Sequence, residues 1–258
     1  MKLKQRYRAA IVFCLVLVLV CSTGILTLLE LGGGYFLPVP AVTDTAAEAT
    51  PEPTPSPRPT PSPTPAPPRR EPTELLTLVN PWHKLPDGYV PEIIWVGEEQ
   101  YIDVRCYDDL MRMLDDCQLA GNTPYICSGY RMQETQEYLY NNKIARLIDE
   151  GVDPEEAPDI AARSVARPGT SEHQLGLAVD IIDYYFTDLT QEQEQTGTQQ
   201  WLMEHCWDYG FILRYPTGKS DITGIIYEPW HYRYVGTEAA REIHQLDVTL
   251  EEYLEMFY

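Results

Sequence analysis

Residues 171–180 read SEHQLGLAVD, a histidine and an aspartate seven positions apart with mostly small and apolar residues between them. Continued to Ile182, the run GLAVDII has strand character. A strand over residues 176–182 alternates its faces, with Gly176, Ala178 and Asp180 on one side and Leu177, Val179 and Ile181 on the other. The second set is ordinary core. The first places a carboxylate among the smallest neighbours on its face and predicts room there for something other than protein. His173 lies just after the PGTSE loop, close enough to swing over that same face.

One histidine and one aspartate also fit a blander reading, a strand-end acid beside a solvated loop histidine. The second piece is EPWH, residues 228–231, in an apolar and aromatic segment. Positions three apart in a regular strand point to opposite faces, so Glu228 and His231 converge only if Pro229 and Trp230 make a bend. His173, Asp180 and His231 then offer two nitrogens and one oxygen, leaving a fourth tetrahedral position for water, as in a catalytic zinc site rather than a closed structural one. Glu228 is placed to take a proton from that water. His83, His205 and His244 are read as structural or solvated residues. Tyr130, Trp230, Tyr232 and Tyr234 are read as core or sheet-face residues outside the site.

The surrounding pattern mixes helices and short strands. YDDLMRMLDDCQLAG (107–121) carries Leu110, Met111 and Leu114 at helical spacing, PYIC (124–127) reads as a buried strand, and residues 133–151 read as a long helix ended by Gly151. Thr190 with Gln193, and Thr249 with Glu252, fit capping boxes. GFILRY and GIIYEPWHYRYVG read as two β segments around a turn at Pro216–Ser220. The expectation is an α+β domain, a small antiparallel sheet flanked by helices, preceded by a transmembrane helix and a Pro-rich stalk.

That division rests on composition. The 21 residues from Ala9 to Leu29 carry no charge and follow Lys2, Lys4, Arg6 and Arg8. At 1.5 Å per residue they span roughly 31 Å, so residues 1–8 are expected to be a cytoplasmic tail and 9–31 an uncleaved signal anchor, with the rest of the chain outside the cell. A cleaved signal peptide would have an apolar region of only about 7–15 residues, and a lipoprotein signal at Cys21 would want a small residue where Val20 stands. Residues 51–72 hold 11 of the 22 prolines, so 32–74 is expected to be an extracytoplasmic linker whose proline-rich part reaches roughly 70 Å. Residues 75–258 are expected to form one domain. The net charge of −20 becomes −24 on residues 9–258, which argues against nucleic acid or anionic lipid as partner. Cys106, Cys117, Cys127 and Cys206 lack a CxxC pair and are read as disulfides or buried thiols rather than a zinc site. The pairs expected, if they bond, are Cys117 with Cys127 and Cys106 with Cys206.

With these residues assembled, the chain resembles the zinc D-alanyl-D-alanine carboxypeptidases of the VanY type. The family's SxHxxGxAxD pattern appears as Ser171, His173, Gly176, Ala178 and Asp180, its ExxH pattern as Glu228 and His231, and its SxYR element as Ser128, Tyr130 and Arg131, with Gln136 following. The resemblance runs from Asn80 to Tyr258 and makes the domain expected over residues 75–258 a zinc carboxypeptidase domain. It implies one zinc on His173, Asp180 and His231, Glu228 as general base, and Arg131 stabilising an oxyanion or holding a substrate carboxylate. Ser171, Gln136 and Ser128 become candidate substrate contacts. The implied activity is removal of the C-terminal D-alanine from peptidoglycan stem peptides or their lipid-linked precursor. Two readings stay open beside it: an L,D-carboxypeptidase acting on tetrapeptide stems, and a peptidoglycan-binding module without catalysis.

Overall fold

A computed structural model describes residues 69–258. The expected tail, the anchor at 9–31 and the linker up to residue 68 lie outside the described residues. Among the described residues no helix is long and apolar enough to cross a membrane.

The chain builds a hairpin, β1 (Ile93–Gly97) and β2 (Gln100–Asp103), then α1 (Tyr107–Leu119), β3 (Pro124–Ser128), α2 (Gln133–Asp149), α3 (Ala157–Ala162), β4 (Ala178–Asp183) and α4 (Gly197–His205). It continues through β5 (Phe211–Leu213), a single turn α5 (Ser220–Thr223), β6 (His231–Tyr234), α6 (Thr237–Leu246) and α7 (Leu250–Phe257). The main sheet has the order β3-β4-β6-β5 with every pair antiparallel, so the α+β expectation holds.

Alternation along β4 divides the sheet as its sequence predicts. Leu177, Val179 and Ile181 join Ile126, Phe211 and Tyr232 in the main core, covered by Leu110 and Met113 of α1 and Leu202 of α4. Full burial of each such aliphatic side chain contributes about 1.5–3 kcal/mol. The opposite face carries Asp180, His231 and Arg233. A smaller cluster of Ile212, Ala240, Ile243, Leu250 and Tyr253 seats α6 and α7, and the box formed by Thr249 and Glu252 opens α7 as expected.

Several elements depart from the sequence reading. Strand β4 starts at Ala178, because Gly176 takes φ +75 to close a 3-10 turn over Glu172–Leu175. A Cβ there would meet the Asp103 backbone nitrogen at 3.1 Å. Thr190 opens only a 3-10 turn without a side-chain cap; Gln193 instead donates to the Phe186 and Asp188 carbonyls, and the helix begins after Thr196. Residues 224–230 are loop rather than strand, since the Pro229–Trp230 turn leaves only His231–Tyr234 in register with β4. Neither expected disulfide forms. All four cysteines are free thiols; Cys106, Cys117 and Cys206 fill the main core as small apolar groups, and burial pushes each up to about 12.

Candidate metal centre and active site

The central strand organises the site. Asp180 on β4 is paired with His231 on β6 and with Ser128 on β3, so strand register alone makes the three residues cross-strand neighbours. A bulge at Cys127 shifts the β3 register immediately before Ser128. The expected bend in EPWH is present: the His231 backbone N–H donates to the Glu228 carbonyl at 3.2 Å across the Pro229–Trp230 turn. His173 reaches the same place from the 3-10 turn that precedes β4.

One ligand atom from each of His173, Asp180 and His231 falls within 4.8 Å of the others, and all three residues are buried. His173 Nε2 lies 3.2 Å from Asp180 Oδ2, and His231 Nδ1 lies 3.0 Å from Asp180 Oδ1. The far nitrogens face acceptors. His173 Nδ1 is 2.8 Å from the Gly129 carbonyl, and His231 Nε2 points at Glu172 Oε2 at 3.5 Å without completing a hydrogen bond. Those two atoms are the buried side-chain polar atoms left unpartnered among the described residues. His173 donates outward to Gly129 and His231 aims its Nε2 at Glu172, so each ring turns its other nitrogen inward beside a carboxylate, which is the donor set and outer-shell arrangement of a zinc site. The residues fit that metal.

Electrostatics separate the groups by role. Burial and the Arg131 charge push His173 down to about 4. Burial also pulls His231 down, but the Asp180 and Glu172 carboxylates overcome it and raise it to about 9. Asp180, although buried, is held well below the usual carboxylate range by the histidines around it. Glu228 differs: burial pushes it up to about 8, helped by Asp180 and opposed by His231 and Arg131. Its Oε2 sits 4.0 Å from His231 Nδ1, beside the ligand set and not in it.

Arg131 donates from Nη2 to Asp180 Oδ2 at 2.8 Å and lines the cavity that opens on the triad. Ser128 accepts from its Nε at 2.9 Å, and Gln136 Oε1 lies 3.4 Å from its Nη1. Gln136 is fully buried and spends its amide N–H on the Ala166 carbonyl. Ser128 and Gln136 therefore hold Arg131 in position and do not line the cavity, whereas Ser171 does line it. The cavity has a volume of about 520 Å³ and includes His173, Asp180, Glu228 and His231. Tyr232 and Tyr234 belong to the core as expected. Trp230 is buried as well, yet it lines the cavity, against the reading that kept it out of the site, and Tyr215 packs tilted against the His231 ring with centroids 4.7 Å apart.

Sequence reasoning missed Glu172. Its Oε1 accepts from Arg214 Nε at 2.8 Å and from Arg233 Nη1 at 2.7 Å, with all three side chains fully buried. Burial pushes its carboxyl up, and the two guanidiniums overcome this and hold it well below the usual range. Its neighbours Thr170, Ser171, His173 and Gln174 are polar, so the sequence carried no sign of its burial. The three remaining histidines stay outside the site: His83 bonds to Asn80 at 2.9 Å, His205 packs on Trp201 and His244 stacks on Trp207.

A family model described as VanY, D-alanyl-D-alanine carboxypeptidase, matches residues 99–237, the span that contains every residue of this site. The D-alanyl-D-alanine carboxypeptidase of Enterococcus faecalis is 41% identical over 181 residues; the match covers 69% of this chain and 65% of that protein's length. Among solved structures, a mutant of the vancomycin resistance D,D-pentapeptidase VanY from a VanB-type cassette, in complex with Zn(II), is 41% identical with a TM-score of 0.64 over 69% of this chain and 98% of that one. The LdcB LD-carboxypeptidase is 36% identical with a TM-score of 0.60, over 71% and 87% of the two chains.

Proposed function

Because the chain belongs to the VanY family of D-alanyl-D-alanine carboxypeptidases, we propose that it is a zinc metallocarboxypeptidase that removes the C-terminal D-alanine from peptidoglycan stem peptides or their lipid-linked precursor. The observation that carries this reading is Glu228. A buried carboxylate with a raised pKa, 4.0 Å from a metal-facing nitrogen yet outside the ligand set, suits a proton acceptor. A binding module would have no use for it.

His173, Asp180 and His231 would hold zinc, which would supply Lewis acidity, lower the pKa of water toward about 7 and favour the ionised form of Glu228. Glu228 takes the proton of the attacking water and returns it to the departing amino nitrogen. Arg131, fixed by Ser128 and Gln136, presents guanidinium N–H groups to the carboxylate or developing oxyanion of the substrate. Trp230 and Tyr215 wall the reacting bond from solvent.

Glu228→Gln keeps size and removes the base. Zinc is expected to stay near one equivalent while release of D-alanine falls about 10²–10⁴-fold. Full turnover by this variant would refute the assignment. A second reading, L,D-carboxypeptidase activity, is favoured by the likeness to LdcB. Mass spectrometry of defined tetrapeptide and pentapeptide stems decides between them, since loss of one alanine from the pentapeptide alone marks D,D specificity.

The proposal extends to placement. Residues 9–31 anchor the chain with residues 1–8 in the cytoplasm, and the proline-rich segment up to residue 74 carries the catalytic domain outside. Protease added to intact cells is expected to release the domain. Its full protection would sink this topology.

A further inference from the structure

One wall of the active-site cavity is a single face of α2: Leu139, Asn142, Lys143 and Arg146, at the i, i+3, i+4, i+7 spacing of one helical stripe. Lys143 is half-buried and Arg146 is exposed. Nine other arginines and lysines of the domain stand in ion pairs with acids. Of the five described ones that do not (Arg69, Lys84, Lys143, Arg146 and Arg163), Lys143 and Arg146 line the cavity, in a chain whose net charge is −20. Lys143 has Leu139 and Leu147 four residues away and Tyr140 and Arg146 three away, so its one charged neighbour on the helix surface has its own sign. Like charges at that spacing destabilise a helix. The dipole at the C-terminal end of α2 favours a cation at Arg146. It does not account for Lys143 beside it.

We propose that Lys143 and Arg146 form a subsite for a second carboxylate on the peptide substrate. This rests on the carboxypeptidase reading of the metal centre. The triad and Glu228 take the scissile bond, and Arg131 takes the terminal carboxylate or the oxyanion, all within one cavity of about 520 Å³. Anionic chemistry on the α2 wall therefore meets a residue N-terminal to the scissile bond. The subsite selects peptides that carry a free carboxylate there over those carrying an amide or an amine.

The test uses the full chain in detergent with zinc. Three acetylated tripeptides end in D-alanyl-D-alanine and begin with glutamate, glutamine or lysine. At low ionic strength the glutamate peptide is expected to exceed the glutamine peptide at least tenfold in kcat/KM, with lysine poorest, and the gap is expected to narrow as salt is added. In the Lys143→Gln/Arg146→Gln double variant the ratio is expected to approach one, the change falling on KM, with zinc still at one equivalent to certify the fold. Equal treatment of the three peptides by the parent, or an unchanged preference in the variant, overturns the subsite. Calorimetric binding of the same peptides to the Glu228→Gln protein is expected to show the same order without turnover. Carboxylate-dependent binding with no cleavage by the parent would refute the carboxypeptidase reading and leave the subsite standing; cleavage without discrimination would do the reverse.

Discussion

Two clusters of buried charge lie side by side on the polar face of the sheet, and Glu172 belongs to both. In one, Arg214 grips Glu251 through Nη1 at 2.8 Å and Nη2 at 2.7 Å, while its Nε and Arg233 Nη1 converge on Glu172 Oε1. Arg233 spends its remaining donors on the Tyr234, Leu75 and Thr77 carbonyls. Two cations face two anions, and the protein neutralises itself. In the other, Arg131 pairs with Asp180 and two imidazoles turn toward that one carboxylate, while Glu228 stands 4.0 Å from His231 with no cation of its own among the described residues. There the donor atoms of His173, Asp180 and His231 converge within 4.8 Å of one another as a metal-binding set. Buried charge of the first kind fixes a shape; buried charge of the second kind marks a site.

Removing the shared residue breaks both at once. Glu172→Ala strands Arg214 and Arg233 in the core, and loss of one partner from a buried ion cluster costs about 3–5 kcal/mol, to be read from denaturant unfolding of the metal-free protein. A cost below about 1 kcal/mol would mean that the cluster is not closed as described. Glu172→Gln sharpens the contrast. It keeps a hydrogen-bonding side chain toward the arginines but weakens the acceptor facing His231 Nε2, so zinc affinity, measured against a chelator, is expected to fall about 10–100-fold.

The pH response tests the second cluster alone. Glu228 at about 8 and His231 at about 9 are both raised above their unfolded values, so the folded metal-free protein holds protons that the unfolded chain releases. Stability from both groups is present at low pH and is lost as pH rises through the folded values. Between pH 6.5 and 8 the loss approaches two protons' worth of slope, about 1.4 kcal/mol per pH unit for each. Glu228→Gln removes one of the two, and thermal unfolding across that window is expected to show a shallower decline. An unchanged slope would mean that Glu228 ionises normally.

The sequence carried the metal centre well because its ligands lie close in the chain and strand alternation fixes their faces. The single crossing needed, from Asp180 to His231, is set by one proline-containing turn. What it concealed depended on distant contacts. Glu172, Arg214 and Arg233 meet only after β4, β5 and β6 pair. The β1–β2 hairpin was missed because its turn uses Glu98 and Glu99 at φ 48 and 59, where glycine or asparagine would have announced it. Gly129 gave no sign of its task either, although a Cβ there would stand 2.3 Å from the Tyr101 carbonyl oxygen and its own carbonyl steadies His173. The disulfide expectation failed because a count of four reads the same for bonded and for packed thiols.

That hairpin offers the smallest effect. Replacing Glu98 with asparagine and Glu99 with glycine removes two side chains from left-handed backbone and is expected to stabilise the fold by about 1 kcal/mol, with zinc content and activity unchanged. Loss of stability would show that the two glutamates hold the turn by contacts of their own.

The backbone nitrogen of Arg70 donates to the Phe257 carbonyl at 2.7 Å, and the Arg70 side chain pairs with Glu242 on α6. Chain entering the domain and chain finishing α7 therefore meet at one point, and no residue lining the cavity lies within residues 69–80 or 237–258. The order in which the elements are threaded is thus separable from the site they build. A circular permutant that joins Tyr258 to Arg69 through a short glycine linker and opens new ends in the Glu98–Glu99 turn would assemble the same cavity from a rearranged gene.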